Sequence, residues 1–197
     1  MLTFKYDKSI DEECWGRIIK AGNLFGHDFP KTFFISENDI LTAQEKAIEY
    51  QIIWNNYSHN FNANLKKIYK YDFPAAVACY INSSPYSMDN YASNYISISM
   101  KLATEEKIVS TIIHEACHFL FRKYYIEFCG SLGCSENEIE EIKEVITVVN
   151  NVVFPKVHDY GWKIHHDIRE KVLVLWKRNE DIEKIIRETI FLLRNKG

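Results

Sequence analysis

Residues 111–120 read TIIHEACHFL, an apolar stretch interrupted by two histidines and one glutamate. His114 and His118 are four residues apart, so on a helix they project from the same face, one turn from each other. The two residues between Glu115 and His118 are uncharged, and so are residues 111–113 before the motif and 119–120 after it. We therefore predict a mostly buried helix whose inward face carries both imidazoles.

Two imidazoles one helical turn apart have the spacing needed to share one zinc ion. Glu115 lies about 100° round the helix from His114, so its carboxylate can reach a water in the open coordination position without binding the metal. Burying unpaired imidazoles is costly, and metal ligation removes that cost. We predict His114 and His118 as metal ligands and Glu115 as the catalytic general base.

The stretch TIIHEACHFL resembles the active-site helix of the zincin metallopeptidases. The resemblance covers about residues 75–155, and it implies a zinc cofactor, a peptide or protein substrate and hydrolysis by a metal-activated water. In that family a sheet with an exposed edge strand precedes the helix and aligns the substrate. Residues 95–100, YISISM, stand in the place expected of that strand.

A catalytic zinc site usually has three protein ligands, so the chain should supply a third. Metzincins place a Gly three residues and a His six residues after the second His, where this chain has Phe121 and Tyr124. SprT-type proteases use a later His, but residues 119–157 contain none. Residues 159–161, DYG, lack the spacing of the aspzincins. The pattern is therefore closest to the gluzincin type.

Gluzincins take a Glu from the next helix, which we predict over residues 135–151. Glu144 is the last acid before the apolar residues 145–149, and its separation from His118 is similar to that in the ImmA/IrrE-like metallopeptidases. We predict Glu144 as the third ligand. Glu141 is the first alternative, and a downstream His with a solvated Glu144 is the second.

The oxyanion that develops during amide hydrolysis needs a hydrogen-bond donor. In this family such donors often follow the ligand helix. The resemblance therefore indicates His158 and Tyr160 as donors, with His165 and His166 as further candidates. Cys117, inside the motif, is expected to be a small buried side chain that packs between the two histidines.

The chain has 197 residues with a formal net charge of −3, which argues against a dedicated nucleic-acid binder. It has no apolar run of about 18 residues, so we expect no membrane span. Residues 1–20 carry charges throughout and do not read as a signal peptide, so we expect a cytoplasmic protein with five reduced cysteines. We predict one domain over residues 1–197, with an N-terminal part at 1–103 and the active-site and C-terminal helices at 104–197.

The fold class we predict is α+β, a mostly helical zincin-like domain with a small mixed or antiparallel sheet. Capping-box spacing at Ser9, Thr42 and Ser135 marks three helix starts. The predicted helices cover residues 9–22, 42–57, 104–125, 135–151, 163–177 and 179–195, with a short one near 65–69. The predicted strands cover residues 31–35, 75–81 and 95–100, the last two joined by a polar loop at 82–94. Residues 129–134 are expected to form a loop.

The function expected from these observations is that of a zinc-dependent metallopeptidase. One alternative is a catalytically silent zincin fold used as a binding or regulatory module, although such a module has no need of the base Glu115. Another is a zinc hydrolase that acts on a non-peptide amide. Nothing in the sequence separates peptide from other amide substrates.

Overall fold

The protein is described here from a computed structural model. The structure describes residues 2–21, 32–154, 157–159, 161 and 163–195. The chain forms two compact units that alternate along the sequence. The first unit comprises Met1–His59 and Ala75–Ile108, and the second comprises Asn60–Pro74 and Val109–Gly197. A single domain over residues 1–197 stays a prediction.

The first unit contains a four-stranded mixed sheet. Its strands are β1 (Phe4–Tyr6), β2 (Ala78–Asn82), β3 (Met88–Asn90) and β4 (Tyr95–Ser99). They lie in the order β1-β2-β4-β3, with β1, β2 and β4 parallel and β3 antiparallel to β4. Together with the predominance of helix, this small mixed sheet confirms the predicted α+β class.

The expectation that YISISM is an exposed edge strand is wrong. β4 pairs with β2 on one side and with β3 on the other, and all five of its residues are buried. β3 arises within the segment expected to be a polar loop, and it covers the edge of β4. The alternating serines reflect buried hydrogen bonding, because Ser97 and Ser99 are as inaccessible as Ile96 and Ile98.

The helices of the first unit are α1 (Lys8–Ala21) and α2 (Glu37–Tyr57). α1 covers the predicted region as far as Ala21, and residue 22 lies outside the described residues. The predicted cap at Ser9 is wrong: Ser9 lies inside the helix, and the Asp7 Oδ1 accepts from its N–H at 2.9 Å.

The predicted start of α2 at Thr42 is wrong. Ser36 caps this helix instead: its Oγ accepts from the backbone N–H of Asp39 at 3.1 Å, while Asp39 accepts from the Ser36 N–H at 3.0 Å. Thr42 lies inside the helix.

The predicted strand over residues 31–35 is also wrong for the part that the structure describes. Residues 32–35 have no strand conformation, and Lys31 lies outside the described residues. The apolar residues of this segment are not all buried, since Phe34 is 87% exposed. A strand needs a partner for its backbone groups, and none of the described strands pairs with this segment.

The second unit is built from helices, and α4 begins in the last residues of the first unit. Its helices are α3 (Phe61–Tyr69), α4 (Glu105–Ser131), α5 (Glu136–Ile146), α6 (Asn150–Val153), α7 (His166–Asn179) and α8 (Ile182–Arg194). The boundary between the units falls in the first turn of α4, after Ile108. Short 3-10 turns lie at Ser58–Asn60, Thr147–Val149 and Lys163–His165. None of the described helices is long and apolar enough to cross a membrane.

α4 is longer than predicted: it ends at Ser131 instead of residue 125, and its end is a Schellman motif. The backbone N–H of Cys134 donates to the carbonyl of Cys129 at 3.2 Å, and the N–H of Gly133 donates to that of Gly130 at 2.9 Å. Gly133 has φ of +72°, the left-handed conformation that this type of helix end requires. The loop expected at residues 129–134 is therefore confined to the last few of them.

The predicted start of α5 is confirmed. The Glu138 N–H donates to the Ser135 Oγ at 3.3 Å, and the Glu138 carboxylate accepts from the Ser135 N–H at 2.8 Å. The helix ends at Ile146 and continues through a 3-10 turn into α6, so the single helix predicted to residue 151 is divided into three pieces. The apolar face of α5, with Ile142 and Val145, is completely buried.

The core of the second unit forms along α4. Ala116, Phe119 and Leu120 are fully buried on this helix. α3 belongs to the same core: the hydroxyl of Tyr125 on α4 donates to the carbonyl of Tyr69 at 2.7 Å. The buried residues of α4 thus lie in the same part of the helix as His114 and His118.

Candidate metal centre

α4 and α5 bring together the three side chains predicted as ligands. His114 and His118 project from α4, and Glu144 projects from the last turn of α5. The His118 Nε2 lies 3.2 Å from the Glu144 Oε1, and the His114 Nε2 lies 3.6 Å from the Glu144 Oε2. One potential ligand atom from each residue can be chosen so that all three lie within 4.8 Å of one another.

These distances fit one small divalent cation. Two atoms that are each about 2.1 Å from a tetrahedral ion lie about 3.4 Å apart, which matches the separations observed here. The Glu144 Oε2 is buried and has no hydrogen-bond partner among the described residues. A buried carboxylate oxygen normally has a partner, so this oxygen has the environment of a metal ligand. Two imidazoles and a carboxylate are also the donor set of a His₂Glu zinc site.

Asp159 holds the outer nitrogen of one of these histidines. Its Oδ2 lies 2.9 Å from the His114 Nδ1, and both groups are largely buried. A proton on Nδ1 leaves the lone pair of Nε2 free, and Nε2 is the atom that faces Glu144. Burial alone would lower the pKa of His114, but the charge and hydrogen bond of Asp159 raise it to about 9, so a metal would have to displace a proton from this ring in order to bind Nε2.

His118 and Glu144 have the protonation states that metal ligands need. Burial, together with the positive charge of Lys143, lowers the pKa of His118 to about 4, so its imidazole is neutral near pH 7. Burial would raise the pKa of Glu144, but His118, His114 and Lys143 hold it well below its usual range. Neutral imidazole and ionised carboxylate are the forms that bind a metal.

Glu115 is buried beside the ligands on α4, with 6% of its surface exposed. Its negative charge contributes to the raised pKa of His114. Cys117 is completely buried, as expected of a packing residue, and its thiol donates to the Oδ1 of Asn150 at 3.1 Å.

Three buried side chains beside the candidate ligands were not predicted from the sequence: Lys143, Asp159 and Arg169. The Lys143 Nζ lies 3.4 Å from the Glu144 Oε1 and 3.1 Å from the Glu140 Oε2. The available signal was position: Arg169 lies three residues before Val172 and seven before Trp176, on the buried face of α7.

Among the described residues, none of the other candidates belongs to the group of potential ligand atoms. Glu141 is exposed on α5, so the structure offers no support for it as the third ligand. His158 is exposed, and its backbone carbonyl accepts from the Ser110 Oγ at 2.9 Å. His165 is buried and His166 is exposed, while Tyr160 lies outside the described residues. The oxyanion donors stay predictions.

No family model, curated protein or solved structure matches this chain. The resemblance to zincins therefore rests on the residues of α4 and α5 themselves.

Proposed function

We propose that this chain is a zinc-dependent metallopeptidase. The observation that carries the proposal is the convergence of the His114 Nε2, the His118 Nε2 and the Glu144 carboxylate at separations of 3.2 and 3.6 Å. The buried Glu115, next to the first ligand along α4, supplies a carboxylate at the position of the general base in an HExxH motif. A peptide or protein substrate follows from the resemblance to zincins.

The residues present have distinct tasks in amide hydrolysis. His114, His118 and Glu144 hold the metal, and Asp159 keeps the His114 ring in the orientation that ligation requires. A bound zinc ion supplies the Lewis acidity that polarises the scissile carbonyl and lowers the pKa of a water to about 7. Glu115 accepts a proton from the attacking water and delivers it to the leaving amine nitrogen.

The cytoplasm is the compartment we propose for this activity. All five cysteines carry free thiols, and four of them, Cys14, Cys79, Cys117 and Cys129, are buried. Reduced thiols are usual in the cytoplasm, whereas secreted proteins generally pair their cysteines.

The test compares the full-length wild type with Glu115→Gln. Both proteins are assayed for zinc content and for cleavage of a mixed peptide library by mass spectrometry. We expect Glu115→Gln to retain its zinc and to lose at least about 100-fold in turnover, since it removes the general base but no ligand. Glu141→Gln, an exposed change on α5, is the matched control and should behave as wild type.

The outcomes separate the alternatives. Full turnover by Glu115→Gln would show that the assigned base is wrong. A wild type that binds zinc but cleaves no peptide would support the silent binding module, or, if it cleaves a panel of acylated amines, a hydrolase of non-peptide amides. A wild type that binds no zinc would overturn the proposed function.

A further inference from the structure

Arg169 is a buried cation that the proposed catalytic cycle does not use. It lies on α7 with 3% of its surface exposed. An arginine stays protonated in proteins, and a buried charge is tolerated only when hydrogen bonds and opposite charge satisfy it. Its surroundings should therefore show what this cation holds in place.

The guanidinium makes four hydrogen bonds to two separate segments. Its Nη1 donates to the backbone carbonyl of Glu144 at 2.6 Å and to the Thr147 Oγ1 at 2.8 Å. Its Nη2 donates to the backbone carbonyl of Asp159 at 2.8 Å and to the Asp159 Oδ1 at 3.0 Å. One side chain thus ties the end of α5 to the segment that follows α6.

Both segments lead directly to a candidate ligand. Glu144 is itself a ligand, and Arg169 fixes the backbone from which its carboxylate projects. Asp159 uses one carboxylate oxygen for Arg169 and the other for the His114 Nδ1. The planar fork of a guanidinium can hold both groups at once in a defined orientation, which the single ammonium of a lysine cannot do.

Gly161 makes room for this arrangement. It has φ of +57°, and its N–H donates to the Asp159 Oδ1 at 3.1 Å. A β-carbon at this position would lie 2.5 Å from the Arg169 Cζ and Nη1, well inside van der Waals contact. The backbone of Gly161 therefore lies directly against the guanidinium, and only glycine fits.

We propose that Arg169 is a positioning residue of the metal centre, which sets the orientation of His114 through Asp159 and that of Glu144 through its backbone. This inference rests on the proposed function, because it concerns the same ligands. It goes beyond that function in assigning to one cation on α7 the alignment of two of the three ligands, one on each of two other helices.

The experiment measures the zinc dissociation constant of the full chain by competition with a chromogenic chelator, and records the visible spectrum of the Co²⁺-loaded protein. Partners around metal ligands typically contribute about 10–100-fold to metal affinity. We expect Arg169→Met to weaken zinc binding by about that factor and to change the Co²⁺ bands, which report coordination geometry. Arg169→Lys, which keeps the charge but not the fork, should recover at most part of the affinity.

Val172→Ala, a cavity-forming change one turn further along α7, controls for general loss of stability. It should lower the melting temperature and leave the zinc dissociation constant and the Co²⁺ spectrum as in the wild type. If Arg169→Met does not fold, Gly161→Ala replaces it, since the added methyl group displaces the guanidinium without removing it.

Wild-type affinity and spectrum in Arg169→Met, or in Gly161→Ala where it replaces that variant, would overturn the inference. So would full restoration by Arg169→Lys, or an equal loss in Val172→Ala. These results leave the proposed function intact as long as the wild type binds zinc and His118→Ala does not. A wild type without metal binding would overturn both.

Discussion

Two buried polar clusters, one in each unit, differ in how completely their atoms are satisfied. The sheet cluster of the first unit comprises Asp11, Asn82, Ser83, Ser84, Ser97 and Ser99. The metal-site cluster of the second unit comprises His114, His118, Glu144, Asp159 and Arg169. Both are built from side chains that are costly to bury alone.

The sheet cluster is closed on itself. The Asp11 carboxylate accepts from the Ser83 N–H at 2.9 Å, from the Ser83 hydroxyl at 3.1 Å and from the Tyr6 hydroxyl at 3.3 Å. The amide of Asn82 donates to the Ser97 Oγ at 2.7 Å and accepts from the Ser84 Oγ at 2.6 Å. The side chains of this cluster find their partners within the protein, so we interpret it as structural.

The metal-site cluster is only partly satisfied: the His114 Nδ1 has a partner in Asp159, whereas the His118 Nδ1 has none among the described residues. Asp159 and Arg169 pair with each other, Asp159 also contacts the His114 Nδ1, and Arg169 also donates to the Glu144 carbonyl. The Glu144 Oε2, by contrast, has no hydrogen-bond partner among the described residues and faces an imidazole nitrogen 3.6 Å away. Burial of polar groups alone therefore does not indicate a metal site; the second cluster differs because its unpaired carboxylate oxygen lies beside two imidazoles that could share an ion with it.

The most severe test removes a ligand. His118→Ala and Glu144→Ala should each retain about a tenth or less of the wild-type zinc after dialysis, because a stable catalytic site needs its three protein ligands. Elemental analysis of the purified proteins measures this. Glu141→Ala, an exposed change on the same helix as Glu144, should keep its full zinc. Full zinc occupancy in His118→Ala would show that His118 is not a ligand, and the second cluster would then no longer differ from the sheet cluster as a metal site.

Breaking the sheet cluster should affect stability and not metal binding. Asp11→Ala leaves the buried Ser83 N–H without its acceptor, and we expect the free energy of unfolding to fall by about 2–4 kcal/mol. Urea denaturation measures the loss, and Asp11→Asn, which keeps one acceptor oxygen, should lose less. A weaker zinc dissociation constant in folded Asp11→Ala would contradict the assignment of this cluster as purely structural.

Removing the support behind His114 should give an intermediate effect. Asp159→Ala takes away the acceptor of the His114 Nδ1, and the zinc dissociation constant should rise by about 10–100-fold. Competition with a chelator gives this constant. Asp167→Ala, an exposed change in the first turn of α7, is the control and should retain wild-type affinity. Equal affinities for the two variants would show that Asp159 does not orient the ligand.

The smallest effects are expected at the helix caps. Ser36→Ala on α2 and Ser135→Ala on α5 should each lower the free energy of unfolding by about 1 kcal/mol, through loss of a capping box. Thr42→Ala, inside α2, should change it by no more than about 0.5 kcal/mol. Thermal denaturation compares the three variants. A larger loss in Thr42→Ala than in Ser36→Ala would contradict the observed start of α2.

Features that depend on adjacent residues could be predicted from the sequence. The Ser135 box was found because an N-cap and its partner Glu138 lie within one turn. The Ser36 box was missed because its partner is Asp39, whereas the usual pattern has Glu or Gln at that position. The nearby Thr42 and Glu45 have the expected letters but lie within the helix.

Features that depend on distant pairing could not be predicted. β1 and β3 have three residues each, too few for alternation to be recognised, and they exist because the sheet supplies partners. β4 was correctly predicted as a strand, but its place inside the sheet depends on β3. A strand's neighbours are set by tertiary structure, which the local pattern does not contain.

The site shows the same division. His114, His118 and Glu115 follow from one helical turn, and Glu144 was indicated by an acid placed next to an apolar run. Asp159 and Arg169 were not found, because one lies in a connecting segment and the other reads as a charged residue of an amphipathic helix. Their roles depend on a contact between residues that are distant in sequence from the motif.

The interleaving of the two units has a consequence for how the protein can be made and divided. When translation has passed residue 108, all of the first unit has been synthesised, but of the second unit only residues 60–74, which include α3. At that stage α3 and the residues after it lack packing partners: the ring of Phe61 packs near that of Phe154, and the ring of Phe73 near that of Phe119. A fragment that begins at residue 104 would lack both Phe61 and Phe73. A single cut in the chain therefore cannot separate the second unit from all of the first, because any fragment that holds both of its segments also holds residues 75–108.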